Sequence, residues 1–164
     1  MTHDDLRMKA ISILRRSNAV ARKGGWKHQL GFSCGVILSE ISSAANDNPD
    51  AIGWSYGRSV MIECKMSRAD FFADSKKPQR LTGTGAGERR YFMTPKGLLK
   101  PAELPENWGL IEWDGNETIE AVGAPKRQLD LLGHVAEKKM LLSTVRRIRM
   151  REFLIIQDEC VPAH

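Results

Sequence analysis

The sequence predicts an α/β fold with one mixed central sheet flanked by helices. Three observations predict it. Short β-branched, apolar segments bounded by turn residues alternate with segments of helical period, in the order helix, strands, helix, strands, helices. The 164 residues suffice for one domain and hardly for two. No internal repeat and no linker divides them, so residues 1–164 are expected to form a single domain ending in a basic helical tail.

The elements follow in order. Leu6, Ala10, Ile13, Ser17 and Val20 recur at helical spacing, predicting a helix over 3–22. Asp4 and Asp5 suit its first turn, and Gly24-Gly25 ends it. Residues 36–41 read as a strand and 42–49 as a polar loop. Strands over 50–55 and 59–65 are joined by Tyr56-Gly57-Arg58. Within the second, Val60, Ile62 and Cys64 alternate with Met61, Glu63 and Lys65, so the two sets occupy opposite faces. Ser67-Arg68-Ala69-Asp70 has the form of a capping box opening a helix, which Pro78 ends or bends. The glycines between Thr82 and Glu88 predict a mobile loop. Strands are expected over 90–93, 108–113 and 117–122, the last two joined through Asp114-Gly115-Asn116. A helix over 126–157 is expected to use Leu131, Val135, Leu142, Val145 and Phe153 as its apolar side.

Composition narrows the function. No apolar run is long enough to span a bilayer, and the N-terminus lacks a secretion signal, so the expected location is the cytoplasm of a bacterial or phage-infected cell. Three widely spaced cysteines, with no CxxC pair, fit free thiols in a reducing compartment. Four dispersed histidines argue against a structural zinc. The net charge of +5 favours polyanionic partners. Its basic clusters, at residues 15–27 and 146–151, read equally as solvated helix faces.

Pro49-Asp50 precedes Glu63-Cys64-Lys65 by twelve residues. Hydrolysis of a phosphodiester needs positive charge on the non-bridging oxygens, an activated water and a stabilised leaving group. Carboxylates holding Mg²⁺ or Mn²⁺ meet these needs, and Mg²⁺ takes only one or two protein carboxylates. Asp50 and Glu63 supply two. Lys65 shares the strand face of Glu63, where it can orient water or oppose charge on phosphorus. A lone ExK is unspecific, since a chain of this length holds roughly half a match by chance. Glu137-Lys138-Lys139 and Asp74-Ser75-Lys76 also fit, but in helices, where residues two apart do not share a face.

The segment Pro49 to Asp74 is similar to the PD-(D/E)xK, or restriction-endonuclease-like, nucleases. Ile62 to Phe71, with Asp74 and Lys76, resembles their MmcB-like DNA-repair branch. Arg90-Tyr91-Phe92, Leu104-Pro105 and Trp108-Gly109-Leu110-Ile111 extend the likeness, which runs from about residue 30 to 122. It implies an αβββαβ core, Asp50 and Glu63 as metal ligands, and Lys65 as the catalytic lysine. It adds the carbonyl of Cys64 as a further ligand, and it matches Glu40 to an acid of some members, with Asp47 competing for that place. The RecB-type tyrosine that should follow Gln79 is missing from Leu81 to Gly83, and the tail after 123 does not align.

The expected function is therefore a Mg²⁺- or Mn²⁺-dependent endodeoxyribonuclease of repair, recombination or phage DNA processing, with RNA still open as substrate. Glu63→Ala and Lys65→Ala are expected to abolish cleavage and leave the fold intact. Ser67, Lys76, Lys77, Arg80 and Arg90 are candidate nucleic-acid contacts, with Ser67 serving equally as a helix cap. Trp26, Trp54, Trp108 and Trp113 read first as core and second as stacking platforms. A homodimer is compatible with duplex cutting. The alternative is a binding module on the same fold that does not cut. A nucleotide-dependent enzyme is disfavoured, because the glycine run precedes a strand and no Gly-Lys-Ser/Thr follows.

Overall fold

The computed structural model describes residues 1–17, 19–22, 25–28, 30–39, 48–75 and 85–156. Its centre is a six-stranded mixed sheet in the order β3-β4-β5-β6-β7-β8. The strands are β3 (Val36–Ser39), β4 (Ala51–Ser55), β5 (Arg58–Cys64), β6 (Arg89–Pro95), β7 (Trp108–Trp113) and β8 (Thr118–Val122). β3, β4 and β5 are antiparallel, β5, β6 and β7 run parallel, and β8 returns antiparallel.

Helix α1 (His3–Arg15) is capped by Thr2, whose side chain accepts from the Asp5 N–H while Asp5 reaches back to the Thr2 N–H. It buries Leu6, Ala10, Ile13 and Leu14 against Ala51, Val60, Ile62 and Cys64. The opposite sheet face carries Ile52, Met61, Phe92 and Leu110. Phe71 of α2 (Arg68–Ser75) and Ala136 and Met140 of α3 (Leu131–Ile156) pack on it. β5 is buried on both faces for this reason, polar residues included.

Four expectations change. The predicted helix over 3–22 stops at Arg15, and a hairpin follows, β1 (Ala19–Arg22) against β2 (Gly25–His28), closing at Arg22↔Gly25. A glycine pair suits a hairpin turn as well as a helix stop. The glycine loop, expected to be mobile, is in its described part, Gly85 to Glu88, hydrogen-bonded to residues far along the chain. Gly87 N–H donates to Glu137 (2.9 Å), and the Arg127 guanidinium donates to the carbonyls of Gly85, Ala86 and Gly87. α3 begins at Leu131 rather than 126, where the Asp130 carboxylate accepts from Gly133 N–H (2.7 Å). Its core side is also reversed. Ala136 and Met140 face the sheet, whereas Leu131, Val135, Leu142 and Val145 are exposed. Small residues explain this, because a methyl on Gly133 would lie 2.7 Å from the Gly85 carbonyl oxygen. Phe153 has no described side chain, and the loop expected over 42–49 lies mostly outside the described residues.

Among the described residues no helix is long and apolar enough to cross a membrane.

Candidate active site

The β4–β5 hairpin positions the first two candidates. Its turn, Tyr56-Gly57, takes positive φ at both residues (39° and 76°), the backbone that a two-residue hairpin requires. The register Ala51↔Ile62, continued by one step, sets Asp50 opposite Glu63. Period two then puts Lys65 on the face of Glu63, the face that α2 covers. All three lie at the carboxyl end of β5, where the parallel strands of open α/β sheets place their ligands.

Glu63 and Lys65 are almost wholly buried, 4% and 6% exposed. The Lys65 ammonium lies 3.7 Å from Asp74 and 4.0 Å from Asp70, both on α2. Asp74 is also buried, whereas Asp70 is exposed. Asp50 is half-buried. Its Oδ2 accepts from the Cys64 backbone N–H (2.7 Å) and lies 3.6 Å from His3 Nε2 at the start of α1. The Cys64 thiol is pushed well above its ordinary range by burial first, then by the charges of Asp50 and Glu63.

The chemistry such a group permits is cation binding. Among the described residues, no set of three or more His, Cys, Asp or Glu side chains is arranged around one ion position. The strand register sets Asp50 opposite Glu63, and two carboxylates are as many as a Mg²⁺ ion that keeps several waters takes from a protein. Glu40, the candidate third acid, lies outside the described residues, as do Lys76, Lys77, Arg80 and Asp47.

Two candidate contacts take on other roles. Ser67 caps α2, its Oγ accepting from Asp70 N–H (3.1 Å). Arg90 is turned inward, 2% exposed, with Nε donating to the Ala86 carbonyl (2.9 Å) and its guanidinium over the Trp108 ring. A side chain so placed ties β6 to the 85–88 segment. Trp54 also has a structural partner, donating Nε1–H to Glu137 (2.9 Å).

Sequence reasoning missed His3, and it missed Thr94. Lys65 N–H donates to the Met93 carbonyl, which brings the next residue, Thr94, beside the site. Thr94 is fully buried, and its Oγ1 has no hydrogen-bond partner among the described residues. Neither signal is local in sequence. Asp74 was visible in the sequence as part of the family resemblance and of a second acidic-x-lysine triplet, without a stated role.

No protein-family model matches the chain, and no curated protein matches it. Among solved structures it is similar to SPO1766, a protein of unknown function from Silicibacter pomeroyi. Identity is 27%, the match covers 79% of this chain and 85% of that chain, and the TM-score is 0.50.

Proposed function

We propose that this chain is a Mg²⁺- or Mn²⁺-dependent deoxyribonuclease of the restriction-endonuclease-like type. The observation that carries the proposal is the convergence of Asp50, Glu63 and Lys65 at the carboxyl end of β5, with Asp50 and Glu63 opposed in register. The run α1, β3, β4, β5, α2, β6 also has the αβββαβ order of that fold. Asp50 and Glu63 would hold the cation, with the carbonyl of Cys64 as a third donor. A divalent ion held there places charge beside the phosphoryl oxygens and acidifies a bound water. Lys65 opposes charge developing on phosphorus, and Asp74 fixes the lysine's direction by the 3.7 Å contact.

The test is a cleavage panel of single-stranded, duplex, flap and junction DNA, with Mg²⁺, with Mn²⁺ and with EDTA. Cleavage that EDTA stops, and that Glu63→Gln lowers by about a thousandfold or more, is the expected result. Cleavage unchanged in Glu63→Gln would remove the mechanism.

One observation favours the second reading, a nucleic-acid-binding module that does not cut. Lys65 is held by two carboxylates and Asp50 by a backbone N–H, so each already has a structural partner. A binder keeps its DNA affinity in Asp50→Ala and shows no turnover on any substrate of the panel.

A further inference from the structure

Helix α3 is apolar on two opposite faces. Gly133, Ala136, Glu137 and Met140 face the sheet. On the far side Leu131, Val135, Leu142 and Val145 are 77%, 39%, 46% and 54% exposed. Their spacing is that of a heptad seam, with Val135 and Leu142 at a, and Leu131 and Val145 at d. Leu132, Leu141 and Ile148 widen it and are exposed as well. Together these side chains form an apolar strip along the outward face, and a contiguous apolar patch on a protein surface marks an interaction site.

Charge decides the occupant. The seam interrupts itself once, with Lys138 at d; its e positions are Leu132, Lys139 and Arg146 and its g positions His134, Leu141 and Ile148, all exposed, so the cations gather on the e side. Leu131–Ile156 holds six basic residues against two acidic ones, and one of the acids, Glu137, is buried in bonds to Ser59, Trp54 and Gly87. A second copy laid antiparallel would set the e cations against themselves, and one laid parallel would set them against Leu141 and Ile148, so neither offers a counter-charge. A partner with carboxylates facing the e side pairs Lys139 and Arg146.

We propose that the outward face of α3 docks an acidic amphipathic helix of another protein, apolar at a and d and glutamate-rich on its flanks. The surface lies on α3, apart from the carboxyl end of β5, and does not depend on the nuclease reading.

The probe is a labelled 21-residue peptide with Leu at a and d and Glu at e and g, compared with a twin carrying Lys at e and g. Fluorescence anisotropy with the full chain is expected to show the acidic peptide binding at least about tenfold tighter, the preference weakening as salt rises. Leu142→Glu removes the binding. Lys139→Glu with Arg146→Glu inverts the preference between the peptides, a result that mere stickiness cannot give. Circular dichroism keeps these surface variants interpretable. Equal or absent binding of the two peptides overturns the proposal. So does a dimer of the chain alone that Leu142→Glu splits, which assigns the face to a second copy. Retention on phosphatidylglycerol vesicles that the same variant abolishes would assign it to a membrane surface and equally overturn the proposal.

Discussion

Lys65 is a long cationic side chain in the core, between a buried and an exposed carboxylate of α2. Its removal leaves Asp74 inside without the ammonium, and breaking a buried pair from one side costs several kcal/mol. Lys65→Ala is therefore expected to lower stability by about 2–4 kcal/mol as well as activity, contrary to the expectation from sequence that the fold is indifferent. Lys65→Met combined with Asp74→Leu should recover most of that loss in urea unfolding, and a double variant as weak as the single would refute the pairing. Thr94 gives the opposite case. A buried hydroxyl without a partner is a standing cost, so Thr94→Val should raise stability by about 1 kcal/mol in the same assay. If cleavage falls at the same time, the hydroxyl belongs to the reacting group.

Among the elements, α3 depends on one carboxylate for its seat. Glu137 accepts from Ser59 Oγ (2.6 Å), Trp54 Nε1 (2.9 Å) and Gly87 N–H (2.9 Å), joining the helix to β4, β5 and the glycine segment. Glu137→Ala strands three donors, and a loss of about 3–5 kcal/mol with early hydrogen exchange in Gly87 is expected. Glu137→Gln keeps an acceptor and should lose less. The β4–β5 turn offers a gain. Tyr56 is fully exposed at φ 39°, a conformation asparagine adopts more readily. Tyr56→Asn should raise the free energy of unfolding by about 0.3–1 kcal/mol, with no change at the site roughly 20 Å along the strand.

For the whole molecule, titration sets the range of stability. Arg68 holds the Glu103 carboxyl down at about 2, and Asp5 and Asp114 are lowered by backbone N–H donors. Depressed carboxylates stabilise above their ordinary range and lose that contribution as pH falls, here from 4.5 towards about 2. Asp5 and Asp114 are exposed and Glu103 is half-buried beside an open arginine, so the acid decline is shallow. The alkaline side is different. Burial pushes the Cys34 thiol from 9.0 up to about 11. Burial, with the Glu120 hydrogen bond, raises Tyr91 from 10.0 to about 12. The folded chain keeps these protons after the unfolded chain has lost them, so their contribution is full below pH 9 and falls away between 9 and 12. Denaturation midpoints should fall over that window, and a flat profile from pH 8 to 11 would contradict the assignment.

By itself the sequence determined the strand and turn pattern from Val36 onward, the class of the fold, and the alternation that sets Glu63 and Lys65 on one face. These follow from local periodicity and turn chemistry, which short windows carry. Only the tertiary structure decided which side of α3 meets the sheet and that Arg127 and Glu137 act as internal ties. The reason is that close approach at Gly133 and the satisfaction of buried charge depend on partners 40 to 80 residues away, and local hydropathy does not record them.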